Sequence, residues 1–335
     1  SKGVIASSAG NHAQGVALAA TENGIPCVIC MPDGAPISKV EATKAYGAKV
    51  CLVKGAYDDA YEYACQLQEK EGYTFIHPFN DPQVIAGQGT IGLEILDQLP
   101  DVDVVLVPVG GGGLISGVAY AIKKLRPGCK VYGVQAAGAP SMEESLKSHE
   151  AITLDAVSTF ADGIAVKHPG DVTFDLVSRY VDGVVTVTDD ETACAILALM
   201  EKQKLVTEGA GAVAVAAAMF GKVDLKGKKA VCLLSGGNID VNILSRVITR
   251  GLTIAGRNST LTLQLEDKPG QLKDVSEIIS RNGGNVVRVH YNQADPNLAI
   301  TSCYLTVSME TRDHEQVEEI RRDLTRSGFQ VVSHS

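Results

Sequence analysis

Ser7-Ser-Ala-Gly-Asn-His-Ala-Gln-Gly15 lies between a short apolar run, Gly3–Ala6, and an Ala-rich helical stretch, Val16–Ala20. Strand, small polar loop, then helix is a place to bind an anion. The first N–H groups of a helix have no partner inside it, and the helix dipole adds positive potential there. Ser7, Ser8 and Asn11 add hydroxyl and amide groups, and Gly10 lets the backbone approach a ligand closely. For Ser8 alone an ordinary N-cap is the competing reading, since Ser and Asn are favoured caps. A cap needs one such residue, and this loop supplies several.

Outward from this loop, short apolar runs alternate with amphipathic stretches up to about residue 250. Strands are expected at 4–7, 27–31, 49–53, 104–107, 130–134, 184–187 and 230–234. Helices are expected near 11–23, 37–46, 57–71, 83–98, 114–125, 189–203 and 209–220. This alternation predicts an α/β fold with a mainly parallel sheet. The continuously apolar Val104–Val107 reads as a strand covered on both faces. The rhythm changes at 252–259. Strands at 261–265, 285–291, 300–308 and 329–332, with helices at 271–280 and 314–325, spell βαββαβ, the ferredoxin-like plan. Two domains are expected, 1–251 and 258–335.

Composition narrows the partners. The 335 residues carry a net charge of -9 with no Lys/Arg-rich run, which argues against a nucleic-acid surface. No apolar stretch is long and clean enough to span a bilayer, and no basic n-region precedes an apolar h-region, so neither a membrane anchor nor a signal peptide is expected. The eight cysteines fall mostly in apolar runs, the usual setting of buried free thiols. Cys27 and Cys30 have CxxC spacing, but in a strand residues three apart point to opposite faces, so a shared metal or redox site is disfavoured. The expected compartment is a reducing one, the cytoplasm.

Two further loops carry chemistry. Pro108-Val-Gly-Gly-Gly-Gly-Leu114 follows the buried strand and opens a helix. Four consecutive glycines let several N–H groups converge on an anion, and a phosphate is the expected ligand. A dinucleotide site fits poorly, because the sixth position of G-x-G-x-x-G is Ile115 and the next strand ends without an acid. No Gly-Lys-Ser/Thr follows, so a Walker loop is excluded. Cys232-Leu-Leu-Ser-Gly-Gly-Asn238 again ends an apolar run and places the Ser235 hydroxyl at a sheet edge, with a plain tight turn as the alternative. All three loops are expected to open on the same sheet edge. The resulting site is neutral and rich in donors, with no Asp/His triad and no metal-ligand cluster.

Together, SSAGNHAQG, PVGGGGL and CLLSGGN resemble the signature of fold-type-II pyridoxal-phosphate enzymes. More narrowly, they resemble the threonine/serine dehydratases, or threonine ammonia-lyases. The resemblance covers essentially all of 1–250 and implies a tryptophan-synthase-β-like, three-layer α/β/α catalytic domain. Residues 258–335 resemble an ACT regulatory domain, with Glu266-Asp-Lys-Pro-Gly-Gln-Leu272 matching its first ligand loop. The resemblance implies that Ser8, Gly10, Asn11 and His12 grip the substrate carboxylate, Asn11 also bonding the 3′-oxygen of pyridoxal 5′-phosphate. Gly110, Gly111, Gly112 and Gly113, with Leu114, would cradle the phosphate, and Ser235 would face the pyridine nitrogen. Glu208 resembles an acid near a cation site and the substrate hydroxyl. The divalent version of that site needs a second carboxylate where Ala214 stands, so no metal is assigned and a salt-bridged or capping Glu208 stays open. In the second domain Asp267, Gly270, Leu272 and Asn285 are candidate contacts for an amino-acid effector, against a reading of Pro269-Gly270 as a simple turn.

The implied reaction is β-elimination of L-threonine, and of L-serine, to a 2-oxo acid and ammonia, by a homodimer or homotetramer. A serine at the ring nitrogen makes the cofactor a weaker electron sink, which suits rapid loss of a β-hydroxyl. A related racemase would carry a second serine where Ala9 stands, and Ala9 cannot move a proton. A non-catalytic amino-acid sensor, or a dehydratase of another β-hydroxy amino acid, are the alternatives. The family's Schiff-base lysine lies in a Ser-Phe/Tyr-Lys-x-Arg-Gly motif upstream of the first loop. That motif is not in this sequence, and Lys2 has the wrong context. An N-terminal segment bearing that lysine is expected.

Overall fold

The computed structural model describes residues 2–296 and 298–334. The chain divides into two units, 1–195 with 204–239, and 196–203 with 240–335.

The first unit begins with β1 (Val4–Ser7), α1 (Asn11–Glu22), β2 (Cys27–Pro32), α2 (Ile37–Ala45), β3 (Lys49–Val53), α3 (Tyr57–Glu71) and β4 (Thr74–Phe75). Their strands form a parallel sheet in the order β3-β2-β1-β4. Its faces follow the strand alternation. Ala6, Ile29 and Met31 pack against Ala13 and Ala17 of α1 on one side, while Ile5, Val28 and Cys30 pack against Ala64 of α3 on the other. Cys27 falls on the first face and Cys30 on the second. All eight cysteines are free thiols.

α4 (Pro82–Gln98), N-capped by Asp81 with proline in its first turn, leads into a second layer. There lie β5 (Val104–Pro108), α5 (Gly113–Leu125), β6 (Lys130–Ala136), α6 (Ser141–Ser148), α7 (Asp171–Tyr180), β7 (Gly183–Val187), α8 (Asp189–Ala198), α9 (Gly209–Met219) and β8 (Ala230–Cys232). These strands form a second parallel sheet, ordered β7-β6-β5-β8. Every residue of β5 is buried, as its unbroken apolar run requires. Two sheets therefore replace the single expected sheet edge. β1 is flanked by β2 and β4, and β5 by β6 and β8, so the Ser7–Gly15 loop ends a strand of one sheet while the glycine and Ser235 loops end strands of the other.

The second unit holds α10 (Val241–Ile254), β9 (Asn258–Glu266), α11 (Gln271–Arg281), β10 (Asn285–Asn292), β11 (Ser302–Glu310), α12 (His314–Arg326) and β12 (Gln330–His334). Its antiparallel sheet runs β10-β11-β9-β12. β9 and β11 alternate strictly, burying Leu261, Leu263, Leu265 and Cys303, Leu305, Val307 against Val275 and Ile279 of α11 and Ile320 and Leu324 of α12. The βαββαβ order is as expected from the sequence. Helices α6, α7 and α10 were not expected. The helix expected over 189–203 ends at Ala198 and continues as one wider turn, Leu199–Gln203.

Candidate active site

The three polar loops line one cavity of about 1640 Å³ in the first unit. That exceeds the ~300–1,000 Å³ typical of a single small-ligand pocket, so it has room for a cofactor and a substrate side by side.

The first wall is the start of α1. Ser8 does not cap the helix. Its Oγ accepts the Gly10 N–H at 3.1 Å, and Gly10 takes the cap position without a side-chain bond. The N–H groups of Asn11, His12 and Ala13 find no acceptor among the described residues, so they remain available to an anion. The His12 ring is directed elsewhere. It is half-buried, and Nε2 donates to Ile76 O at 2.9 Å. Burial holds its pKa below the usual histidine value, with the Ile76 bond opposing. The ring is thus neutral and engaged, and what His12 offers a carboxylate is its backbone N–H.

The second wall is the glycine loop. The N–H groups of Gly110, Gly111 and Gly112 have no acceptor among the described residues. Gly111 O instead accepts from Gly170 N and from Thr173 Oγ1, the latter at 2.6 Å, which fixes the loop from behind. Gly112 sits at φ +97°. An added Cβ at Gly111 would stand 2.5 Å from the Phe79 ring, and at Gly113 2.8 Å from Phe79 Cα. Phe79 is set by His77, whose Nδ1 accepts the N–H of Phe79 at 3.2 Å and of Asn80 at 2.9 Å. Burial, then the nearby His12, lower the His77 pKa, while Asp81 opposes. An unprotonated Nδ1 is what those two donors require. Leu114 completes this wall.

The third wall carries Ser235, exposed to the cavity and without a hydrogen-bond partner among the described residues. Asn238 Nδ2 donates to Asn11 Oδ1 at 3.0 Å, and Asn11 Nδ2 donates to Glu208 Oε1 at 2.6 Å. Glu208 is only 4% exposed, and its carboxyl accepts no second bond among the described residues. Burial raises its carboxyl pKa. Asp162 adds to that, while Asn11 and Lys39 oppose it. A Cβ at Gly236 would meet Glu208 Oε1 at 2.5 Å, so only glycine admits the carboxyl there. Among the described residues no group of three or more His, Cys, Asp or Glu side chains is placed to hold a metal ion.

These residues suit pyridoxal phosphate. Three free N–H groups converge where a phosphate needs donors, a glycine cradle leaves no room for side chains, and an unpartnered hydroxyl faces the cavity. Sequence reasoning missed His77 and Phe79 as parts of this site; both lie in His77-Pro-Phe-Asn80, whose turn is closed by an imidazole rather than by Gly or Asp.

The effector candidates do not meet within the chain. Asp267, Gly270 and Leu272 follow the end of β9, where Glu266 pairs with Ser302. Asn285 pairs with Glu310, opposite Asn258 at the other end, roughly 25 Å away along the strand. Asn285 Nδ2 bonds Glu310 there, whereas Asp267 Oδ2 accepts from Gln293 at 2.7 Å.

The chain is similar to proteins of known activity. L-threonine ammonia-lyase of Thermotoga maritima is 52% identical over 330 residues, covering 98% of this chain and 82% of that protein. L-threonine ammonia-lyase of Geobacter sulfurreducens is 47% identical over 331 residues, with the same coverage. The structure of the processed form of threonine deaminase isoform 2 from Solanum lycopersicum superposes with a TM-score of 0.71 at 43% identity, over 74% of this chain and 69% of that one. Maize serine racemase gives 0.70 at 37% identity, over 76% and 78%. Residues 1–236 match the family described as pyridoxal-phosphate dependent enzyme, and the chain belongs to that family.

Proposed function

We propose that the protein is an L-threonine ammonia-lyase, acting also on L-serine, that converts threonine to 2-oxobutanoate and ammonia. The observation that carries this reading is the pairing of two anion-accepting backbone clusters in one cavity, Gly110–Gly112 and Asn11–Ala13, with buried Glu208 tied to the second through Asn11. Bound there, pyridoxal phosphate withdraws electrons from the substrate Cα. The chain's own groups do the rest. Gly110, Gly111 and Gly112 would hold the phosphate by their N–H groups, and Ser235 would offer the ring an uncharged hydroxyl. Ser8, Gly10, Asn11 and His12 form the loop that receives the carboxylate. Glu208, whose carboxyl pKa is raised by burial, would give a proton to the departing β-hydroxyl. The Cα proton and the Cβ hydroxyl are lost, one water in sum, and one water returns when the released enamine hydrolyses to the 2-oxo acid and ammonia. Ala9 offers no proton to the opposite face of Cα, which disfavours racemisation.

The cavity lysines are engaged elsewhere: Lys39 with Asp162, and Lys167 with Asp155 O. Neither is assigned as the Schiff-base lysine. Residues 258–335 are proposed as an ACT-like effector-binding module, the assembly as a homodimer or homotetramer, and the compartment as the cytoplasm, in keeping with eight free thiols. No helix among the described residues is long and apolar enough to cross a membrane. Borohydride reduction of the protein loaded with pyridoxal phosphate, followed by peptide mass mapping, tests the reading. A pyridoxyl-lysine in a Ser-Phe/Tyr-Lys-x-Arg-Gly peptide is expected; no labelled lysine anywhere would overturn the catalytic reading.

A further inference from the structure

An ion pair crosses the cavity. Lys39 Nζ, on α2 of the first sheet's layer, lies 2.5 Å from Asp162 Oδ2, in the turn Asp162–Ile164 of the second layer. Both residues line the cavity. The Lys39 side chain is 17% exposed, and the Asp162 side chain 62%. An ion pair this open to solvent adds little to folding stability. Its placement is more informative. The turn it grips packs between the second wall, at Gly110, and the third, at Glu208 and Ala210. An added Cβ at Gly163 would stand 3.7 Å from Glu208 Oε1 and 3.0 Å from the Ala210 Cβ. An added Cβ at Gly110 would stand 3.0 Å from Ile164 Cα and 3.1 Å from Val166 Cγ2. On its own side the turn is held by Ile164 N to Ala161 O at 3.0 Å and by Phe160 N to Asp189.

We propose that Lys39 and Asp162 are positioning residues, whose ion pair clasps α2 to the Asp162–Ile164 turn and so holds the cavity walls, with Glu208 between them, in the arrangement that receives the amino acid. This rests on the amino-acid reading of the site. Neither residue touches the reacting atoms. Losing the pair should loosen substrate capture before it slows the chemistry, because a misplaced wall costs binding of the correctly oriented substrate.

The test is a double-mutant cycle in the holoenzyme: Lys39→Met, Asp162→Asn, both together, and Lys39→Arg as the charge-preserving control. Two quantities are read. One is KM and kcat for L-threonine; the other is the dissociation constant of L-2-aminobutyrate, which has no β-hydroxyl to eliminate, followed by cofactor absorbance. Each single variant should raise KM and the aminobutyrate constant roughly tenfold with a much smaller change in kcat. The double variant should be no worse than either single, and Lys39→Arg should match the wild type. Wild-type constants in the singles, or effects that simply add in the double, would overturn the clasp. If the wild type fails to deaminate threonine, the functional reading falls, while the aminobutyrate constants still decide the clasp.

Discussion

Gly112→Ala is the sharpest local perturbation of the proposed phosphate cradle. Gly112 has φ +97° and ψ -3°, and a Cβ there would lie 2.7 Å from Met142 Cε and 2.9 Å from Thr173 Cβ and Oγ1. An L-residue in left-handed backbone costs about 1–2 kcal/mol. Forcing a methyl into packed surroundings adds about 1–3 kcal/mol. Met142 is flexible, but Thr173 is buried and pinned through its hydroxyl to Gly111 O and Gly170 O, so the loop rather than its support must shift. The sum, about 2–5 kcal/mol, is set against a loop whose free N–H groups face the ligand. If only the lower bound falls on cofactor binding, pyridoxal phosphate affinity drops about thirtyfold. Fluorescence titration of the apoprotein with the cofactor measures this, with thermal unfolding recorded in parallel. Wild-type cofactor affinity in Gly112→Ala would refute the cradle.

Glu208→Gln keeps the Asn11 bond but cannot donate a proton as an acid, so turnover should fall about 10²–10⁴-fold with cofactor affinity unchanged; undiminished kcat removes Glu208 from the mechanism. The same variant carries a stability signature. Because burial raises the folded-state pKa of Glu208, its contribution is fully present below the ordinary carboxylate value and is lost as pH rises through the raised one. Thermal melts of the wild type should decline across that window and those of Glu208→Gln should be flatter; parallel curves would assign the titration elsewhere. Ser235→Ala removes a hydroxyl with no partner among the described residues, so stability should stay within about 0.5 kcal/mol. One hydrogen bond of about 1–1.5 kcal/mol lost at the cofactor predicts roughly tenfold slower turnover, and an unchanged kcat would dissociate Ser235 from the ring.

The three loops were legible because Gly, Ser and Asn clusters at the ends of apolar runs are local signals. Their meeting in one cavity was legible too, but the two sheets that bring them together were not. Strand pairing is non-local, and β4, two residues that complete the first sheet, carries no periodicity at all. α10 escaped notice because Val241, Ile243, Val247, Ile248, Thr249 and Gly251 read against a helix, while its Asp240 cap and one buried stripe decide for it. His12 was assigned by its loop, yet the Ile76 carbonyl, 64 residues on, claims its ring. Lys39 and Asp162, 123 residues apart, left no trace in spacing. Asn285 was grouped with Asp267 by position in a motif, but strand register sends them to opposite ends of the sheet.

The central claim is that the cavity binds pyridoxal phosphate to eliminate water from L-threonine. The most direct measurement adds L-threonine to the cofactor-loaded protein and quantifies 2-oxobutanoate and ammonia together. The account predicts both products in equal amounts, with loss of activity in Gly112→Ala and in Glu208→Gln. A loaded protein that binds threonine and yields neither product, or returns D-allo-threonine, its Cα epimer, instead, would contradict it.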